Sequence, residues 1–224
     1  MRGTRNWVAA AIAAAALAGV LAGPAEPATK KPAREVKAEG NVFTGGLQFD
    51  PPRTAVRVGQ IVQWRNTDPV VPHTATEDHG LWDLTGTYGQ TPVNPPGFGP
   101  GETRARVFEA GTQHYFCRVH PTQMKGVIAV PVFLSRSVHR RAGGTQYLIV
   151  VRWAAQKPGA DRVFDVEVKR GNGSWKRVRT GTHSTGMRFD GGPIETLWAL
   201  RARLRRASKP KDATDWSPVI SIRA

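Results

Sequence analysis

The 224-residue chain has one cysteine, so no disulfide can form within it. Acidic residues are scarce: 17 Asp plus Glu stand against 32 Lys plus Arg, a net charge of +15. There are six histidines and no His-x-His pair, which disfavours a cluster of several metals held by such pairs. No Ser/His/Asp or paired-carboxylate constellation stands out, so nothing points to a hydrolytic or acid–base enzyme. No long helical periodicity is visible, and past residue 25 no run is apolar enough to span a membrane. Glycine (24) and proline (17) are plentiful, which favours short strands and turns over a helix bundle. Hydrophobic residues at 40% and charged residues at 22% are ordinary for a folded chain and argue against general disorder. The length suits one or two domains.

Residues 1–25 carry Arg2 and Arg5, then an Ala-rich apolar run from Trp7 to Leu21, then small residues around Gly23-Pro24-Ala25. That is the pattern of a secretory signal peptide, preferred here over an uncleaved anchor because alanine is only weakly apolar. The mature chain is therefore expected outside the cytoplasm. Residues 26–35, rich in Pro, Ala and Lys, read as a flexible leader. Charge then divides the remainder. Residues 26–133 hold 11 basic and 10 acidic residues, net +1; residues 134–224 hold 19 and 7, net +12. Such a shift marks a domain boundary.

In the first half, short β-rich runs (Thr54–Val58, Ile61–Trp64, Arg104–Phe108, Gln113–Phe116, Gly126–Val132) alternate with Pro/Gly turns, as in a sandwich or barrel. Residues 77–101 show no clear strand and read as an excursion. Between two strand patterns lies Cys117-x-x-His120-x-x-x-Met124. A thiolate, an imidazole and a thioether so close together are the soft and borderline donors that suit copper. A trigonal His2Cys site with a long axial Met needs a second imidazole, and His73, in Val71-Pro72-His73-Thr74, is the candidate. Any one of these residues alone is ordinarily a core or hydrogen-bonded residue; the combined spacing carries the reading.

With Val58-Gly59-Gln60-Ile61-Val62-Gln63-Trp64-Arg65-Asn66, Pro72-His73-Thr74, Pro100-Gly101-Glu102-Thr103 and Tyr115-Phe116-Cys117-x-x-His120-Pro121-x-x-Met124-Lys125-Gly126, residues 36–133 resemble the plastocyanin and amicyanin group of cupredoxins, the blue copper proteins. The resemblance implies a Greek-key β-sandwich holding one copper ion, cycling between Cu(I) and Cu(II). His73, Cys117 and His120 would be equatorial ligands and Met124 axial. Three residues separate His120 from Met124, where family loops commonly have two or four. Asn66 and Thr74 are second-tier candidates for hydrogen bonds that support the ligands. His79 reads as a solvated residue. His114 lies three residues before Cys117, on the opposite strand face, and is not expected to ligate.

Residues 134–224 show further short strands (Tyr147–Trp153, Val163–Val168, Trp175–Arg179, Leu197–Leu204, Val219–Ile222) and a hairpin turn at Arg170-Gly171-Asn172-Gly173. With Phe164-Asp165-Val166-Glu167-Val168 and Trp216-Ser217-Pro218, this segment resembles a fibronectin type III domain, an immunoglobulin-like sandwich. Trp153, Trp175 and Trp198 read as core. Arg201, Arg203, Arg205 and Arg206 are either a solvated surface or a patch for an anionic partner, such as a cell-wall polymer, membrane headgroups or an acidic redox protein. Nucleic acid is a poor partner outside the cell.

The fold class expected is all-β, in two sandwiches. The leading functional reading is a secreted, non-enzymatic carrier of single electrons whose redox partner the sequence does not identify. The alternatives are copper delivery or storage, and an adhesion or scaffold protein with a subsidiary copper site.

Overall fold

The computed structural model describes residues 31–41, 45–85, 97–141, 144–192 and 195–224, which form strands and no helix. No helix there is long and apolar enough to cross a membrane. The segment 1–25, the leader up to residue 30 and residues 86–96 of the long excursion lie outside the described residues.

Strands β1 (Arg34–Asn41), β2 (Gly45–Asp50), β3 (Arg53–Ala55), β4 (Ile61–Asn66), β5 (Thr76–Glu77), β6 (Thr103–Val107), β7 (Gly111–Phe116) and β8 (Lys125–Val130) build two four-stranded sheets. Their orders are β2-β1-β4-β6 and β3-β8-β7-β5. β1 runs parallel to β4, and β3 runs parallel to β8. In β4 the buried positions alternate, Val62, Trp64 and Asn66 facing in. β7 alternates likewise through Gly111, Gln113 and Tyr115. This period-two pattern made both strands legible. Phe49, Trp64, Phe108, Tyr115 and Ile128 fill the space between the sheets. Tyr115 touches Phe49 at 4.8 Å and meets Trp64 edge-on at 5.5 Å between ring centroids. Burying a side chain such as Phe49 or Ile128 contributes roughly 1.5–3 kcal/mol.

The stretch 26–35 does not stay a leader to its end. β1 begins at Arg34, which pairs with Val62. Its buried residues are Val36 and Ala38, set among charged neighbours, so the hydrophobic signal is thin.

Strands β9 (Phe133–Arg141), β10 (Gly144–Arg152), β11 (Arg162–Arg170), β12 (Lys176–Thr182), β13 (Gly186–Asp190), β14 (Leu197–Arg206) and β15 (Ile220–Arg223) form a three-stranded sheet, β13-β10-β9, and a four-stranded sheet, β12-β11-β14-β15. β11 is buried without alternation from Val163 to Val168. Phe164, Val166 and Val168 face the core, while Asp165 and Glu167 on the other face are covered by arginines from β14.

The two pairs of sheets are joined by main-chain and guanidinium hydrogen bonds. Thr112 and Asp215 exchange backbone bonds of 3.1 Å each way, and Ala110 N–H donates to Trp153 O at 2.7 Å. Arg162 donates to Leu81 O at 2.8 Å, and Arg206 to the carbonyls of His79 and Gly80 at 3.2 Å each. β7, the strand that leads into Cys117, is thus braced by the second half of the chain.

Candidate metal centre

Asn66 ends β4 and organises the loop that follows. Its fully buried amide donates to Val71 O (2.8 Å) and Phe98 O (3.0 Å), and its Oδ1 accepts the Asp68 N–H (2.9 Å). Asp68 Oδ1 in turn accepts the amides of Val70 (2.8 Å) and Val71 (3.0 Å). These bonds bend the chain so that His73 turns inward. Its backbone then pairs with Phe98, N–H to O at 3.1 Å one way and 2.9 Å the other. Gly97 permits that approach: it sits at φ +116°, and a Cβ there would overlap the His73 carbonyl.

The second loop folds on itself. His120 N–H donates to Cys117 O (3.1 Å), Met124 N–H to His120 O (3.0 Å), and Cys117 N–H to Met124 O (3.0 Å). Three residues between His120 and Met124 are therefore enough to close the turn and return the chain to β8. Cys117, His73 and Met124 are fully buried, and His120 is partly exposed.

The two loops bring His73, Cys117 and His120 together, with ligand atoms all within 4.8 Å of one another. Cys117 Sγ lies 3.7 Å from His73 Nδ1 and 3.8 Å from His120 Nδ1. Donors at roughly 2.0 Å (nitrogen) and 2.3 Å (sulfur) from one ion, spread at about 120°, lie about 3.7 Å apart. The observed separations match that trigonal arrangement, and two imidazoles with one thiolate suit copper. The residues fit a copper ion. Met124 is brought to the same loop, buried beside the trio in sequence.

Electrostatics prepare the imidazole at the base of the site. His73 is held below the ordinary histidine range, first by burial and then by the neighbouring His120; Asp68 opposes this. Burial thus favours the neutral ring, which has a lone pair to offer. Burial pushes the Asp68 carboxyl up, but the amides of Val71 and Val70 and the facing His73 outweigh it, leaving Asp68 below the ordinary aspartate value. The Thr74 amide donates to Cys117 Sγ at 3.3 Å, which stabilises a thiolate. Thr74 Oγ1 accepts the Arg118 amide at 2.7 Å, locking the two ligand loops together. Both residues singled out as supports, Asn66 and Thr74, therefore hydrogen-bond within the ligand loops.

Sequence reasoning missed Asp68, which sits in an Asn-Thr-Asp-Pro stretch that reads simply as a turn. It also missed the part-buried Asp83–Arg118 ion pair at 3.3 Å, whose arginine follows Cys117 in the chain. His79 is half-exposed and lies against Glu77, and His114 is half-exposed and lies against Asp215; neither joins the cluster.

The arginines of β14 are ion-paired. Arg201 pairs with Glu167 at 2.7 Å, and Arg203 and Arg205 pair with Asp165 at 3.1 Å each. Arg206 reaches Asp161 at 3.2 Å and Asp212 at 3.4 Å. The register explains this, since Arg201 and Arg203 stand directly opposite Glu167 and Asp165. All four are thus engaged by carboxylates of the same half of the chain and are at most partly exposed. Trp175 is not core either: Arg201 stacks on its ring at 4.3 Å and on Trp216 at 4.7 Å. Trp153 is fully buried, and Trp198 packs partly buried at the edge of the core.

Residues 35–131 match the family described as copper binding proteins, plastocyanin/azurin family. No curated protein matches the chain. Among solved structures, a purple cupredoxin from Nitrosopumilus maritimus is 26% identical, covering 43% of this chain and 98% of its own, with a TM-score of 0.32. A Cu(I) form of an amicyanin mutant is 22% identical over 45% of this chain and 83% of its own (TM-score 0.33). A reduced amicyanin mutant is 22% identical over 43% and 79% (TM-score 0.32). The match to this copper-binding family spans residues 35–131, and the His73, Cys117 and His120 cluster within it fits one copper ion as cofactor.

Proposed function

We propose that this protein is a non-enzymatic carrier of single electrons that works outside the cytoplasm. The observation that carries the reading is the triangle of His73 Nδ1, Cys117 Sγ and His120 Nδ1, with Sγ–N separations of 3.7 and 3.8 Å. Copper bound there supplies a one-electron couple between Cu(I) and Cu(II). His73, Cys117 and His120 would hold the ion, and Met124, buried in the same loop, would be a further, weaker thioether donor.

The chain's own part is to keep these donors still. The bonds from Asn66 and Thr74, and the closed turn from Cys117 to Met124, fix the ligand positions before any metal arrives, so a change of charge requires little rearrangement. His120 is the side chain through which electrons leave. It is partly exposed, and its chain neighbour Val119 (39% exposed) adds apolar surface suited to brief contact with a partner. The pattern of residues 1–25 supports export.

Delivery or storage of copper would use the same ligands. The two readings separate on kinetics. An electron carrier exchanges electrons with a soluble one-electron reagent much faster than it yields Cu(I) to a competing chelator. If Cu(I) leaves faster than the electron does, the delivery reading replaces this one.

The seven strands of residues 133–223, divided three against four, support a fibronectin type III-like, immunoglobulin-type sandwich. Its bracing of β7 makes it a support for the copper domain. Its attraction to an anionic surface rests on net charge, not on the paired arginines of β14. Exposed Lys176 and Arg179 on β12 are where that attraction would act. Charge reversal at both should reduce retention on anionic vesicles at low salt and leave little difference at high salt. Unchanged low-salt retention would exclude these residues.

A further inference from the structure

We propose that Asp68 is a positioning residue for His73: its carboxylate fixes the ring as the Nε2–H tautomer and leaves Nδ1 bare toward Cys117. The inference rests on the copper reading and assigns this chain's own means of tuning that site. Asp68 and His73 side chains are both fully buried, and His73 Nε2 lies 3.4 Å from Asp68 Oδ2. The contact is within ion-pair reach, though off-line for a hydrogen bond, and neither atom makes a hydrogen bond elsewhere. Each is the other's available polar partner, and a buried polar atom left unmatched is costly.

The two carboxylate oxygens divide the work. Oδ1 accepts the amides of Val70 and Val71 and so shapes the loop. Oδ2 faces the imidazole. On the far side of the ring, Nδ1 faces the sulfur at 3.7 Å. One residue thus sets both the path of the chain and the tautomer of the ligand. A carboxylate behind an imidazole raises the basicity of the ligating nitrogen. A fixed negative charge on this side also favours the more positive state of a bound metal. An amide at this position has one acceptor oxygen, not two, and cannot serve the loop amides and the imidazole together.

Two measurements test this. In the 15N-labelled metal-free protein, long-range imidazole correlations should show His73 protonated at Nε2 and unprotonated at Nδ1. This needs no copper and no variant. A proton on Nδ1 overturns the proposal. In copper-loaded Asp68→Asn, the Cu(II)-to-Cu(I) ratio at a fixed ambient potential should fall at least tenfold, which is a 59 mV rise for a one-electron couple. An unchanged ratio in a folded variant overturns the tuning role. If Asp68→Asn does not fold, the tautomer in the parent protein decides. If the loaded protein lacks copper–thiolate absorption, the electron-carrier reading fails while the tautomer result stands on its own.

Discussion

Thr112 and Asp215, more than a hundred residues apart, exchange two backbone hydrogen bonds of 3.1 Å. Through them the segment before β15 extends the sheet that carries Cys117. Gly111, the first residue of β7, passes close under Thr214: a Cβ at Gly111 would stand 2.8 Å from Thr214 Oγ1. Gly111→Val should therefore wedge the junction and cost about 1–3 kcal/mol, the usual penalty of overpacking. Chemical unfolding of the full chain checks this. A variant as stable as the parent would mean that the junction yields easily.

Asn66→Ala should do more than weaken the fold. The substitution removes two donated bonds and one accepted bond, two of them within the His73 loop and one to Phe98, which pairs with His73. Buried groups left without partners should cost at least about 2 kcal/mol. Because the same bonds direct His73, copper affinity should fall as well. Competition with a chelator of known affinity measures this, and a stable variant with unchanged affinity would contradict the role given to Asn66.

Met124→Leu should retain copper and raise the reduction potential, since losing a weak donor favours Cu(I). The potential is read by spectroelectrochemistry. Loss of metal from this variant, with retention in His73→Ala, would reverse the ligand hierarchy.

Acid should loosen the second half of the chain through Asp165. Burial pushes this carboxyl up, but the Gly181 amide and the guanidiniums of Arg205 and Arg203 outweigh burial and hold it below its ordinary 3.8. A lowered folded value means that the unfolded chain binds the proton more readily. The stabilisation is present above about pH 4 and is lost as pH falls through the folded value. Asp165→Asn should be less stable at pH 7 and lose less stability between about pH 5 and pH 3. Thermal unfolding across that range tests it, and parallel acid limbs for parent and variant would contradict it.

The cluster of His73, Cys117 and His120 was legible because its chemistry is concentrated: Cys117 and His120 lie in one short loop between two alternating strands. β4 and β7 were legible from period-two burial. β1 was not, because its core contribution is Val36 and Ala38 among charges. Asp68 was hidden for a different reason. Its role depends on His73 folding back over it, a tertiary fact that a turn-like sequence does not announce. The ion pairs of the β14 arginines were not legible because alternation gives a shared face but not what covers it. The covering carboxylates, Asp165 and Glu167, lie in a strand whose polar residues look solvated until the register sets them opposite.

The central claim is that His73, Cys117 and His120 form one copper–thiolate centre. The most direct test is the visible absorption spectrum of the Cu(II)-loaded protein beside that of Cys117→Ser. An intense thiolate-to-copper band in the parent, absent from the variant, is the result predicted. A parent that binds Cu(II) with only weak visible bands, or a band that survives in Cys117→Ser, would contradict the account.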